Sequence, residues 1–369
     1  MVDFTPSEEQ RIICESMAAF AREVLRQQAR DADETGTIPE AVVKTAWELG
    51  LIQNVIPEAY GGFGDERSAV TGALIAEELA YGDLSLALHV LAPRLLVQPV
   101  LEFGSPGQKE RYLRRFSNGE FQRVTAAVME PLIDFDLAAL TTTATKEGSY
   151  YMLSGAKCLV PLGSEADTFL VYATTNPRGG YEAVDGFFID RGTSGLTVGE
   201  REANMGLKAL DTTELTLKNC RVPAENRLGE QAGSQFQRIM DASRLALGAM
   251  AVGVARASYE YALGYAKERL AFGKAIAQNQ AIAFMLADMA TEIDAVRLLV
   301  WEAAWGFDQG NDVLRQSYLA KRYAAQMVLR VADNAVQVLG GHGYVRDHPV
   351  ELWLRNARGF SAFEGLAIV

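Results

Sequence analysis

The sequence predicts an α+β protein of three consecutive units: a helical N-terminal domain (1–121), a middle β domain (122–230) and a C-terminal four-helix bundle (231–369). Three observations predict it. Apolar residues recur at helical spacing through residues 5–119; short alternating runs bounded by turn residues replace them from about 122 to 228; two long, one-faced helices follow. A chain of 369 residues exceeds one small core, and its 49% apolar content is enough to fill several.

In order along the chain, Thr5-Pro6-Ser7-Glu8 offers an N-cap, a proline at the first helical position and a glutamate at the third. A helix from about Pro39 stops at Gly50, and Glu58 to Gly64 forms a glycine-rich loop. Ser68–Leu79 and Leu84–Phe103 carry helical spacing again. The runs beginning at Tyr150, Thr168, Gly186 and Thr213 read as strands. Ile282, Met285, Leu286, Met289, Ile293, Val296 and Val300 keep one helix face apolar, and Tyr318–Leu339 is a second long helix stopped by Gly340-Gly341. Two such helices belong to a bundle.

Composition narrows the function. A formal charge of −12 argues against nucleic acid or an anionic membrane as the main partner. Cys14, Cys158 and Cys220 are odd in number and scattered, as in a reducing compartment. His89, His342 and His348 form no zinc pattern. Met1-Val-Asp-Phe-Thr-Pro lacks the basic and apolar regions of a leader, and the longest uncharged apolar stretch, Leu245–Ala255, is too short to span a bilayer, so a cytoplasmic location is expected.

Motifs carry the reading further. Ile56-Pro57-Glu58-Ala-Tyr60-Gly61-Gly62, Glu77-Glu78-Leu79-Ala80-Tyr81-Gly82, Glu130-Pro131, Arg269-Leu-Ala-Phe272-Gly273, Gln337-Val-Leu-Gly340-Gly341 and Phe363-Glu364-Gly365 occur in this serial order. Together they resemble the acyl-CoA dehydrogenase family along essentially the whole chain. The resemblance implies a β-barrel-like middle domain, an FAD cofactor, an acyl-CoA substrate, an electron-transfer flavoprotein as electron acceptor, and a dimer or tetramer with FAD at subunit interfaces. Glu364 would be the base that takes the α-proton of the thioester, whose oxygen must be polarised as enolate charge develops. Serine at 243, before Arg244, cannot serve in its place.

The resemblance also assigns contacts. Arg269 matches an arginine that meets the FAD pyrophosphate, Phe272 and Gln280 the adenine or ribose side, and Gln337, Gly340 and Gly341 a loop where backbone comes close to the cofactor. Val128, Met129, Cys158, Leu159 and Val160 fall where the family lines the flavin. Asp241, Arg244 and Gly365 match substrate-side positions. Read without the resemblance, Asp241 and Arg244 are an i,i+3 pair on a helix surface, Gly340-Gly341 is a helix stop, and Phe272 is core packing.

Three departures stand out. The family's Thr-Glu-Pro-x-Ala-Gly-Ser-Asp is Met129-Glu-Pro-Leu-Ile-Asp134-Phe135-Asp136; its Lys-Trp-Ile-Thr is Lys157-Cys158-Leu159-Val160; and Leu366 replaces a threonine after Glu364-Gly365, where the family continues into a further helix. The lost hydroxyls and indole bear on flavin tuning more than on flavin binding. They keep two alternatives open beside the dehydrogenase: a flavin oxidase or monooxygenase on the same scaffold, and a non-catalytic subunit of a heteromeric assembly. Acyl chain length and the choice between CoA and an acyl-carrier protein are left open.

Overall fold

The computed structural model describes residues 5–64 and 67–369. Residues 1–4, the start of the segment read above as lacking a leader, and residues 65–66 lie outside the described residues.

The N-terminal part is helical. It comprises α1 (Glu8–Phe20), a π-helical turn (Ala21–Leu25), α2 (Arg26–Thr35), α3 (Glu40–Glu48), α4 (Ala69–Gly82), α5 (Leu84–Leu91), α6 (Arg94–Phe103) and α7 (Pro106–Leu113). The first helix starts two residues later than the sequence predicts. Ser7 rather than Thr5 is the N-cap: its hydroxyl accepts from the Gln10 N–H, and the Gln10 side chain accepts from the Ser7 N–H. The Gln10 amide also donates to the Thr71 hydroxyl at 3.1 Å, a tie to α4. The single helix expected over Leu84–Phe103 is two, bent by 42°, because Pro93 has no N–H to donate across the joint. No single helix among the described residues is long and apolar enough to cross a membrane; the bent pair would pass on length and composition, but its apolar residues are packed in the protein core.

The middle part is a curled sheet of β1 (Val124–Ala127), β2 (Thr143–Glu147), β3 (Tyr150–Pro161), β4 (Thr168–Thr174), β5 (Val184–Asp190), β6 (Leu196–Arg201) and β7 (Thr212–Pro223). The four runs singled out in the sequence lie in β3, β4, β5 and β7. The strand path is β1-β4-β2-β3-β7-β6, with β5 also on β4. Thus β4 is parallel to β1, antiparallel to β5, and meets β2 at Thr143–Thr174. Along β3 and β7 the register shifts between Leu153 and Gly155 and again between Lys157 and Val160. Such irregularities add local twist and curl the sheet. Leu153, Phe169, Val171, Phe187, Ile189, Leu215 and Leu217 fill its interior.

Helices return with α8 (Phe236–Glu268), α9 (Gln280–Asp308), α10 (Leu314–Leu339), α11 (Gly341–Tyr344) and α12 (Val350–Arg358); a short hairpin of β8 (Leu270–Ala271) and β9 (Lys274–Ala275) separates α8 from α9. The bundle is α8, α9, α10 and α12. Of the α9 stripe, Leu286, Met289, Ile293, Val296 and Val300 are buried, while Ile282 and Met285 pack at its edge. Helix α4 lies so close to α8 that a Cβ at Gly253 would sit 2.2 Å from the Glu77 carbonyl oxygen. Glu77 then pairs with Arg256 of α8 (2.9 Å) and Arg297 of α9 (3.1 Å), locking the N-terminal helices onto the bundle.

Candidate active site

Glu364 is held by the chain on both sides. Before it, Phe360 and Phe363 are buried with ring centroids 5.7 Å apart. After it, Gly365 turns the chain at φ +68°, and Leu366, Ala367, Ile368 and Val369 are all buried. The segment after β1 closes from the sheet side. The Glu364 N–H points at the Met129 sulfur at 3.4 Å, and a Cβ on Gly365 would lie 2.6 Å from Val128 Cγ2. Val128, Met129, Glu364 and Gly365, assigned separately from sequence, therefore meet between the sheet and the bundle.

The carboxylate is asymmetric. Oε1 accepts from Lys321 Nζ of α10 at 2.9 Å. Oε2 is buried and has no hydrogen-bond partner; Arg244 Nε stands 3.7 Å away, an ion-pair distance too long for a hydrogen bond. Arg244 donates through Nη2 to the Tyr181 hydroxyl at 3.2 Å, while its Nε and Nη1 are also without hydrogen-bond partners. Asp241 lies 3.7 Å from Arg244 and accepts from the Ser317 hydroxyl at 2.6 Å. Asp241 and Arg244 are 2% and 4% exposed, which rules out the surface-pair reading. Burial pushes the Asp241 carboxyl above its ordinary range, although Ser317 and Arg244 oppose it. Burial also works against charge on Arg244, but Glu364, Tyr181 and Asp241 outweigh it and hold the guanidinium firmly protonated. A cleft of about 660 Å³ opens onto Arg244 and Glu364, walled by Phe135, Leu137, Tyr181 and Tyr318.

Behind Met129 sits a buried ion pair. Lys157 Nζ donates to Glu130 Oε1 and to the Val128 carbonyl, both at 2.9 Å, with side chains 0% and 1% exposed. Glu130 accepts further from the Thr141 N–H and hydroxyl and the Thr142 N–H. Burial alone would raise the Glu130 carboxyl; Lys157 and these donors overcome it and hold it at about 2. The neighbouring strand is less open to a ligand than the sequence suggests. The Cys158 N–H is taken by the Met129 carbonyl and the Leu159 N–H by Glu202, each at 3.0 Å. Cys158 and Leu159 are half-buried, but Val160 turns into the sheet interior, 1% exposed, because the register shift at this point reverses the alternation. Burial pushes the Cys158 thiol up to about 11, so it is a neutral, unreactive group.

The remaining assigned residues form a second, exposed group. Arg269 caps α8 and lies beside Gly340 and Gly341 in a cleft of about 300 Å³. Phe272 is fully exposed at the β8–β9 turn, where it and Gly273 both have positive φ, so it is not core packing. Gln280 opens α9 and Gln337 lies in the last turn of α10, both exposed. Among the described residues the two groups line separate clefts.

Sequence reasoning missed Tyr181, Ser317, Tyr318 and Lys321. Tyr181 comes from the loop between β4 and β5, with no periodic signal. Ser317 and Lys321 had one: polar residues four apart on the face of α10 that otherwise carries Ala320, Ala324 and Val328.

The donor set fits FAD at its pyrophosphate end. Arg269 has no ion-pair partner among the described residues, and open space lies where Gly340 and Gly341 would carry a Cβ. A free guanidinium beside unobstructed backbone suits a pyrophosphate, and the bare Phe272 ring suits the face of an adenine.

Comparison with known proteins agrees. Models of the acyl-CoA dehydrogenase N-terminal, middle and C-terminal domains match residues 7–120, 125–220 and 233–367. Cyclohex-1-ene-1-carbonyl-CoA dehydrogenase of Geobacter metallireducens is 37% identical over 97% of this chain and 95% of its own. Subunit CarC of the caffeyl-CoA reductase-Etf complex of Acetobacterium woodii is 32% identical over 98% and 96%. Butyryl-CoA dehydrogenase of Megasphaera elsdenii superposes with a TM-score of 0.88 at 31% identity, covering 100% of this chain and 96% of that one. An FAD complex of PigA gives 0.88 at 30% over 98% and 95%. The prolyl acyl carrier protein oxidase AnaB gives 0.86 at 28% over 99% and 96%. The chain is an FAD-dependent oxidoreductase and belongs to the acyl-CoA dehydrogenase family.

Proposed function

We propose that this protein dehydrogenates an acyl-CoA thioester to the trans-2-enoyl thioester, with Glu364 as the base and an electron-transfer flavoprotein as electron acceptor. The observation that carries the reading is the Glu364 carboxylate itself: one oxygen anchored, the other buried, without a hydrogen bond, at the wall of a cleft between sheet and bundle. A carboxylate oxygen in that state is ready to accept a proton from a bound α-carbon. The Glu364 N–H meets only a thioether, a weak acceptor. It is therefore the donor available to the thioester oxygen, where a hydrogen bond strengthens as enolate charge develops. Arg244 and Tyr181 orient the polar part of the substrate, and Phe135, Leu137 and Tyr318 exclude water. FAD, when bound, supplies the acceptor for the hydride leaving the β-carbon. Met129, Cys158 and Leu159 would hold one end, and Arg269, Phe272, Gln280, Gln337, Gly340 and Gly341 the other, across a contact with a second copy of the chain. The Etf-complexed relative supports the acceptor.

Anaerobic addition of a panel of acyl-CoAs to the flavin-loaded protein tests the reading. Flavin bleaching with at least one acyl-CoA is expected, and Glu364→Gln should slow it by at least about 100-fold. Bleaching at an unchanged rate in that variant would remove Glu364 from its role.

A second reading is an oxidase on a carrier-bound acyl group. One observation favours it: the N–H groups of Cys158 and Leu159 are already taken, so this strand offers the flavin different contacts from those the family motif would supply. Rapid reoxidation of the reduced protein by air, with peroxide formed, would select it.

A further inference from the structure

The proposed base has a partner that no motif predicts. Lys321 lies on α10 four residues beyond Ser317, buried at 8% exposure. Among the described residues its one recorded partner is Glu364, at 2.9 Å. A buried ammonium is costly without a counter-charge, and α10 spends an inner-face position on this one. The contact is made to one carboxylate oxygen. Oε1 is fixed by Lys321, and Oε2 is left bare beside the cleft.

That division has a chemical consequence. A glutamate carboxylate on three rotatable bonds presents either oxygen in several directions. Pinning Oε1 fixes the rotation about the terminal bond and so fixes where the lone pairs of Oε2 point. Arg244, at 3.7 Å from Oε2, is too far to do this. The same network ties both cations to one frame: Ser317 and Lys321 share a face of α10, Ser317 holds Asp241, and Asp241 sits beside Arg244.

We propose that Lys321 is a positioning residue for proton abstraction: it anchors Oε1 of Glu364 so that Oε2 is the oxygen that receives the α-proton. The inference rests on the reading of Glu364 as the base. Among the described residues, Arg244 of α8 stands beside the carboxylate, and the cleft is also lined by Asp136 from the loop after β1, Asp312 just before α10 and Arg315 in its first turn.

Lys321→Met and Lys321→Arg test it in the flavin-loaded protein, with rapid-mixing measurement of flavin reduction by an acyl-CoA that bleaches the wild type. In Lys321→Met the limiting rate is expected to fall roughly 10- to 100-fold, the loss associated with misplacing a reacting group by about 1 Å. Flavin content and the dissociation constant of a non-oxidisable acyl-CoA analogue should stay within about twofold, since neither depends on the Oε1 contact. Lys321→Arg should recover most of the rate. A Lys321→Met protein with the wild-type rate overturns the proposal. So does one that loses flavin and analogue binding in step with its rate, which would make Lys321 a purely structural residue. Glu364→Gln measured alongside separates the two levels. If Glu364→Gln still bleaches normally the base is misassigned, whereas an inactive Glu364→Gln with an unaffected Lys321→Met sinks only the anchor.

Discussion

Gly365→Ala probes how tightly the sheet side fixes Glu364. Gly365 has φ +68°, and a Cβ there would stand 2.6 Å from Val128 Cγ2, 2.7 Å from Cβ and 3.1 Å from Cγ1. Ordinary contact begins near 3.4 Å, so the two backbones must part by about 0.8 Å or Val128 must leave its seat. Left-handed backbone costs a non-glycine residue about 1–2 kcal/mol, and forcing a methyl into packed space about 1–3 kcal/mol more. The total is roughly 2–5 kcal/mol, some of it relieved by displacing Glu364. A shift approaching 1 Å at a reacting group costs on the order of 100-fold. The limiting rate of flavin reduction in Gly365→Ala is therefore expected to fall about 10- to 100-fold while flavin content is retained. The double variant Val128→Gly/Gly365→Ala removes the clash, the 2.7 Å contact with Cβ included, but not the backbone strain. It should be more stable than the sum of the single changes by about 1–2 kcal/mol in urea titrations of a middle-domain signal, and should regain part of the rate. A Gly365→Ala protein reducing flavin within twofold of wild type, or strict additivity in the double variant, would refute the claim that Val128 sets the position of Glu364.

Two further outcomes concern the ion pair behind Met129. Lys157→Met leaves Glu130 buried with three donors and no counter-charge, and should destabilise the middle domain by roughly 3 kcal/mol, read from the urea midpoint; a loss below about 1 kcal/mol would show that the threonine donors alone suffice. Because Glu130 is held at about 2 against an ordinary 4.5, its contribution is complete above the ordinary value and disappears as pH falls from there through the folded one. By linkage this amounts to about 3 kcal/mol. Acid unfolding followed by near-ultraviolet circular dichroism should therefore be shallower between pH 4.5 and 2 in Glu130→Gln, and a curve parallel to wild type would contradict it.

The sequence by itself determined the three-part order. Helical spacing, alternation and punctuation are local, set by which side chains a 3.6-residue or a 2-residue repeat brings to one face. The same local logic failed at joints. Two capping frames overlap at Thr5 and Ser7, and the structure takes the one in which Ser7 and Gln10 cap each other; the spacing over Leu84–Phe103 did not show the bend at Pro93. Glu364, Gly365, Val128 and Met129 could be named one by one through the family motifs, yet nothing in their spacing said that residues 128 and 365 touch. Tertiary structure alone decided that Asp241 and Arg244 are buried, that Val160 faces the sheet interior, and that Lys321 reaches Glu364. Each of these depends on which face of one element meets another, and the docking of sheet on bundle is a long-range packing outcome that no short window of sequence encodes.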